Sequence, residues 1–146
     1  MLGKSTSNGK TVHVDASGLL LGRLASLVAK RLLMGDSVTI LNAEKAIISG
    51  SRRNILEEMQ VTLGLRSLSS KKRSPKHPRR PDGIVRRTVA GMLPRDKAKG
   101  KEAFERLRVC IGVPEGLDRG VVLSMEKAMK REGGTFMTVG ELAQNI

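Results

Sequence analysis

The stretch TVHVDASGLLLGRLASLVAKRLLMGDSVTILN, residues 11–42, decides the fold of this chain. Residues 11–15 form a short run rich in β-branched side chains, which is typical of a β-strand. A helical pattern follows from about residue 19 to residue 34, and residues 37–42 form a second strand-like run. Because a strand, a helix and a strand follow one another at short spacing, the stretch predicts a βαβ unit with parallel strands and a right-handed crossover.

The helix expected over residues 19–34 is amphipathic. At 100° per residue its apolar side chains fall within one stripe about 100° wide. This stripe consists of Leu21, Leu24, Ala25, Val28 and Leu32. Arg23 and Lys30 share the opposite side, because their spacing of seven residues corresponds to about two turns. One face of the helix should therefore pack, and the basic face either stays solvated or contacts phosphate groups.

The rest of the chain carries shorter elements. The expected elements are a strand at 46–48, a helix at 51–63, a short helix through 85–92, a helix at 97–106, a strand at 107–111, a helix through 122–129 with its methionines in the core, and a capping box at 138–141. The 146 residues fit a single domain over 1–146, with a flexible leader at 1–10 and a C-terminal extension at 116–146. We therefore expect one α/β domain.

A basic arm interrupts this pattern at residues 67–87. Its densest part, KKRSPKHPRRPDGIVRR at residues 71–87, carries eight Lys and Arg against one Asp, with three of the chain's five prolines. Such a segment buries too little apolar surface to offset the entropy of ordering it, and its prolines favour an extended backbone. Five of the eight cations are arginines, whose planar guanidinium matches phosphate oxygens bidentately. The arm indicates a polyanionic partner, and the alternative is a solvated surface loop.

The charge of the whole chain indicates the same class of partner. Lys and Arg number 27 against 14 Asp and Glu, which gives a formal net charge of +13 and a sequence pI near 10.8. This balance is typical of nucleic-acid-binding proteins, with anionic lipid as the competing partner. Membrane is disfavoured because no apolar run approaches the ~18 residues of a spanning helix. The chain has no Trp or Tyr and only two Phe, which argues against recognition of single strands by base stacking.

No group of residues indicates catalysis, a metal or a cofactor. Cys110 is the only cysteine, which excludes a disulfide within the chain and a cysteine-rich zinc site and predicts a small buried side chain. Gly18 and Gly22 near a helix start resemble a phosphate-binding turn only faintly, because the spacing lacks the G-x-G opening. A small nucleotide-dependent α/β enzyme is therefore one alternative function, and another kind of RNA-binding protein is a second. The lack of an apolar segment at the N-terminus predicts a cytosolic location.

Two blocks of sequence together resemble the universal large-subunit ribosomal protein L13 family. VDASGLLLGRLAS at residues 14–26, continuing to NAEK at 42–45, resembles its N-terminal signature. A second block resembles the family's central signature in its archaeal and eukaryotic branch, and most of all the archaeal form. This block consists of HPRRPDGI at 77–84, RTV at 87–89, GMLP at 91–94, KGK at 99–101 and RLRV at 106–109. Ala90 is a departure, because arginine is usual at this position in the family.

The resemblance implies a three-layer α/β/α domain with a short, mainly parallel sheet of about four strands, plus a basic extended arm. It implies a non-catalytic constituent of the large ribosomal subunit in the cytoplasm, without cofactor, membrane or small-molecule substrate. Its partners would be large-subunit ribosomal RNA and neighbouring large-subunit proteins, and it would support assembly. With the charge analysis, the expected RNA-binding residues are Arg23, Lys30, Lys71, Lys72, Arg73, Lys76, His77, Arg79, Arg80, Arg86, Arg87, Arg95, Lys97, Lys99 and Lys101.

Overall fold

A computed structural model of the chain describes residues 9–117, 121–122, 125–129 and 133–146. The helices of these segments are α1 (Leu21–Leu33), α2 (Arg52–Gly64), α3 (Pro81–Gly91), α4 (Ala98–Glu105) and α5 (Val139–Asn145). The strands are β1 (Thr11–Asp15), β2 (Ser37–Leu41), β3 (Ile47–Ser49), β4 (Leu107–Val109), β5 (Val121–Val122) and β6 (Phe136–Thr138). No helix in these segments is both long enough and apolar enough to cross a bilayer.

The main sheet consists of four parallel strands in the order β4-β2-β1-β5. β1 and β2 pair in register from Thr11 with Ser37 to Asp15 with Leu41. β3 and β6 form a separate antiparallel pair. The predicted βαβ unit and the α/β class with a mainly parallel sheet are therefore confirmed, although β5 is only two residues long.

Both faces of the main sheet are covered. Side chains alternate along a strand, so Val12 and Val14 point to one face of β1 and His13 points to the other. All three residues are at most 4 % exposed. The centre of the sheet is therefore buried on both sides, as in a three-layer domain.

α1 packs through the apolar stripe that its sequence predicts. Leu24, Val28 and Leu32 are fully buried, and the other residues of the stripe are buried with them. The burial of each leucine or valine side chain contributes about 1.5–3 kcal/mol to the stability of the fold. The buried face contacts α3 and α4 as well as β2. α1 therefore helps to fix the two helices that carry Arg86, Arg87, Lys99 and Lys101.

α3 begins at Pro81, earlier than the expected start near Val85, and this shortens the extended arm. Proline suits the first position of a helix, because its fixed φ matches the helix and its missing N–H would lack a helical partner there. Ile84 and Val85 are buried in the core, and their burial stabilises the helix. The charge of the arm, on which the sequence prediction of an extended backbone depends, does not reveal this burial. Residues 81–87 are therefore helical, and the extended part of the arm ends at Arg80.

The helix expected through residues 122–129 is wrong. Val121–Val122 is a strand, and Met129 is 58 % exposed instead of buried. The N–H of Leu20 donates to the carbonyl of Ala128 at 2.8 Å, so the chain here pairs with the residue before α1, and only a single 3-10 turn forms at Glu126–Ala128. The spacing of the methionines alone does not distinguish a helix from a segment that pairs with a distant part of the chain. Cys110 is also only partly buried.

The capping box expected at residues 138–141 is confirmed. Thr138 Oγ1 accepts a hydrogen bond from the N–H of Glu141 at 3.2 Å, and the Glu141 carboxylate accepts one from the N–H of Thr138 at 3.5 Å. The box starts α5, where Val139 and Leu142 are buried together with Met137 of β6. The segment expected as a C-terminal extension, residues 116–146, therefore contributes to the core.

Asp15 ties the end of β1 to the residue that follows β2. Its Oδ1 accepts hydrogen bonds from the N–H and Oγ of Ser17 at 3.0 and 2.7 Å, and from Nδ2 of Asn42 at 3.0 Å. Burial raises the pKa of the Asp15 carboxyl, but the hydrogen bonds from Asn42 and Ser17 outweigh it and hold the pKa below the ordinary value of 3.8. The charged carboxylate is therefore the form that stabilises this junction.

Asp15→Asn is expected to destabilise the protein at neutral pH and to matter less in acid. Because the folded-state pKa is lowered, the contribution of Asp15 is fully present above the unfolded-state pKa and is lost as the pH falls through the folded-state value. The measurement is the free energy of unfolding in urea between about pH 6 and about pH 2.5. The exposed Asp96, changed to Asn, is the control. A parent-to-variant difference that stays constant over this range would contradict the prediction.

Candidate nucleic-acid interface

Lysine and arginine side chains crowd one segment of the chain. Residues 71–101, which we call the basic segment, hold twelve Lys and Arg against two Asp. The segment spans the extended arm, α3 and the first half of α4. All twelve cations are exposed: Lys71, Lys72, Arg73, Lys76, Arg79, Arg80, Arg86, Arg87, Arg95, Lys97, Lys99 and Lys101. The structure therefore presents to solvent every cation that the sequence analysis selected in this segment.

The extended part of the arm folds back along α3. Arg87 on α3 donates from Nη1 to the main-chain oxygen of Lys76 at 2.8 Å. Pro78 approaches Gly83 of α3 so closely that a Cβ on the glycine would stand 2.7 Å from the proline Cβ. Alanine would favour the helix by about 1 kcal/mol, so the glycine here serves the close approach of the arm and not the helix. These two contacts hold the arm against α3.

Two more arginines of the arm have partners within the protein. Arg79 donates from Nη1 to the main-chain oxygen of Ile146 at 2.9 Å, which joins the arm to the residue after α5. Arg80 Nε lies 3.3 Å from Asp82 Oδ1, but the Arg80 side chain is 77 % exposed, so this pair contributes at most about 1 kcal/mol. A guanidinium has five donors, and one internal partner leaves several of them free. These arginines therefore position the arm and can still bind phosphate.

His77 differs from the cations around it. It is only partly exposed and lines a cleft of about 280 Å³ together with Met59 of α2, Ile84 of α3 and Leu142 of α5. Its Nε2 is buried and has no hydrogen-bond partner among the residues that the structure describes. His77 therefore lies in the cleft and is not presented with the exposed cations, and its contact with RNA stays a prediction.

Arg23 and Lys30 are exposed on α1, as their spacing predicts. Within the described segments neither side chain has an ion pair, and Lys30 lines a depression whose other charged residues are Arg31, Glu126 and Lys127. α1 therefore presents a basic face of its own. Ala90, where the family pattern has arginine, is buried in α3 and adds no cation to the surface.

Phe104 on α4 contacts two of the cations, although the sequence does not indicate it as a residue of the interface. The guanidinium carbon of Arg86 lies 4.7 Å from the centroid of the Phe104 ring, and that of Arg95 lies 5.6 Å from it. Both distances are within the range of cation–π interactions. The only signal in the sequence is that Phe104, one of two phenylalanines in a chain without Trp or Tyr, lies three residues after the end of the basic segment.

Comparisons with known proteins agree on one family. The family model described as "Ribosomal protein L13" matches residues 9–115. The large ribosomal subunit protein uL13 of Methanococcoides burtonii is 42% identical over 135 residues, which cover 91% of this chain and 95% of the relative. The protein of the same name from Methanococcus maripaludis is 44% identical over the same shares of the two chains. That of Aeropyrum pernix is 42% identical over 139 residues, covering 94% of this chain and 90% of the relative.

Proposed function

We propose, since this chain belongs to the ribosomal protein L13 family, that it is a structural constituent of the large ribosomal subunit and binds large-subunit ribosomal RNA through the basic segment. The matched region, residues 9–115, contains the whole basic segment. Like the large-subunit proteins that it resembles, it works in the cytoplasmic ribosome. It is not an enzyme, and the nucleotide-dependent enzyme considered from the sequence is therefore rejected.

The observation that carries RNA binding is the exposure of all twelve cations of residues 71–101. Cations at this density repel one another, and a polyanion relieves the repulsion. Each phosphate that a cation neutralises releases counterions to the solvent, which favours binding at low salt. Lysine and arginine contacts to the backbone position a protein on RNA without reading bases, which suits a segment that contains no Phe, Tyr or Trp.

Exposed apolar side chains at the start of the arm and just before it support the expectation of protein neighbours in the subunit. Val61, near the end of α2, and Leu65 and Leu68, in the loop that follows, are each more than half exposed. Single apolar side chains on a surface are ordinary, but Leu65 and Leu68 also line the same surface depression, and grouped apolar side chains are typical of a contact with another protein. The arm and this group together could join RNA to an adjacent protein, which supports a role in assembly.

Sedimentation of the native protein in an extract of its own cells tests the proposal. The protein is expected to migrate with the large subunit at moderate salt and to leave it as the salt concentration rises. Migration as a small free particle at moderate salt would contradict the proposal. Flotation with anionic lipid vesicles tests the lipid alternative, because RNA should then fail to compete the protein away from the vesicles.

A further inference from the structure

We propose that Arg86 and Arg95, held on the ring of Phe104, form a clamp for the phosphate backbone of RNA. The clamp rests on the proposed RNA-binding function and adds to it a defined site with two cations and one aromatic ring. Its ligand is a phosphodiester group, bound without regard to the base that it carries.

The packing of α3 and α4 sets the positions of both arginines. Arg86 lies on α3, Arg95 lies in the turn before α4, and Phe104 lies on α4. Gly100 of α4 packs so tightly against this turn that a Cβ on it would stand 2.5 Å from the carbonyl carbon of Pro94. The residue before Arg95 is therefore fixed against α4, and the two guanidinium groups meet the same ring at 4.7 and 5.6 Å.

The protein leaves the charges of the clamp without a carboxylate partner. In the described part of the chain, Arg31 and Arg53 each form an ion pair, at 3.5 and 2.7 Å, whereas Arg86 and Arg95 form none. The negative face of the Phe104 ring offsets only part of the cost of leaving a guanidinium group without an anionic partner. Backbone phosphates that accept hydrogen bonds from these arginines would offset the remainder.

The positive charge that no nearby carboxylate compensates lies at the Phe104 ring. Arg95 and Lys101 line a shallow depression of about 580 Å³ together with Asp96 and Glu105, so the depression itself is close to neutral. Arg86 lies outside this lining and carries the uncompensated charge. With guanidinium groups over the ring, little of Phe104 is free to stack a base. The phosphate backbone is therefore the ligand that the charges favour.

Phe104→Leu tests the clamp because it removes the ring and keeps every charge. We expect binding to large-subunit ribosomal RNA to weaken about five- to tenfold, with the slope of log K against log salt changed by less than about half a unit. Phe104→Tyr keeps a ring and should bind like the parent. Phe136→Leu, at the chain's other phenylalanine, is the matched control and should also bind like the parent. Filter binding over a series of salt concentrations measures both quantities.

Substitution of the two arginines tests the clamp without changing a side chain that packs against the hydrophobic core. Arg86→Gln and Arg95→Gln should each flatten the salt slope by about one unit. Because both guanidinium groups contact the same ring, Phe104→Leu should weaken the double arginine variant no further, since the ring then holds no guanidinium group. Both side chains are exposed, so these variants should fold like the parent.

The outcomes separate the clamp from the function on which it rests. If the parent fails to bind large-subunit RNA, the proposed function itself is contradicted. If the parent binds and Phe104→Leu matches it in affinity, or Phe104→Leu weakens the double arginine variant as much as it weakens the parent, the clamp is contradicted while the RNA-binding function stands.

Discussion

Gly100→Ala is expected to lower the free energy of unfolding by about 2 kcal/mol or more. Helix propensity alone predicts the opposite, because alanine favours the interior of a helix over glycine by about 1 kcal/mol. Gly100 is buried, and its added Cβ would overlap the carbonyl oxygen of Pro94 and stand 3.1 Å from the nitrogen of Arg95. Backbone atoms cannot rotate out of the way as a side chain can, so the turn before α4 must move.

Unfolding in urea, followed by circular dichroism, measures the loss of stability that Gly100→Ala causes. Gly22→Ala is the matched control, because Gly22 also lies in a helix and a Cβ there meets no atom within 4 Å. This control should leave the stability unchanged or raise it by up to about 1 kcal/mol. Equal stabilisation by both substitutions would show that the approach of Pro94 to α4 is looser than the structure describes.

The first third of the fold could be predicted because its local signals agree. The β-branched run that forms β1, the apolar stripe of α1 and the second run that forms β2 each follow one periodicity, and short connections leave few ways to join them. The packing of Leu24 and Val28 then depends on their position in the stripe and not on distant residues. The start of α5 could be predicted for the same reason, since the box of Thr138 and Glu141 is local.

The elements that escaped prediction depend on partners far along the chain. α3 begins at Pro81 because Ile84 and Val85 are buried in the core, where α3 packs against α1, and the charges around them conceal this burial. The backbone at Ala128 pairs with Leu20, which no spacing of methionines near residue 128 can indicate. Local patterns predict where a side chain could be buried, and tertiary contacts decide whether it is.

The cations of the interface could be predicted, but their separate roles could not. Lysine and arginine are rarely buried, so their exposure follows from residue type. Arg86 and Arg87 are adjacent in sequence, yet successive residues of a helix point about 100° apart. One therefore lies over Phe104, and the other donates to the main chain of Lys76. A chain with only two phenylalanines and no Trp or Tyr gives no sign of base stacking, and the contact of an arginine with a ring depends on helix packing that the sequence does not show.

Replacement of four arginines by glutamine is expected to weaken binding to large-subunit ribosomal RNA about a hundredfold or more. The four residues are Arg79, Arg80, Arg86 and Arg87. Charged hydrogen bonds contribute about 1.5–3 kcal/mol each, and two to four of them are lost together. The slope of log K against log salt should flatten by about two to four units, since each lost phosphate contact releases about one counterion fewer. Different RNA sequences should be affected alike, because backbone contacts carry no base information.

A control variant with the same loss of charge separates a defined interface from general attraction. It replaces four exposed cations outside the basic segment, Lys10, Arg52, Arg53 and Arg108, by glutamine. If net charge alone governs binding, the two variants should lose affinity and salt slope equally. If the basic segment is the interface, the control should lose less than about one unit of slope. Arg79 and Arg87 also hold the arm by exposed hydrogen bonds, so circular dichroism must show that the quadruple variant keeps its helices. A folded quadruple variant with the affinity and salt slope of the parent would move the RNA-binding surface away from the basic segment, and the exposed face of α1 with Arg23 and Lys30 would then be the next candidate.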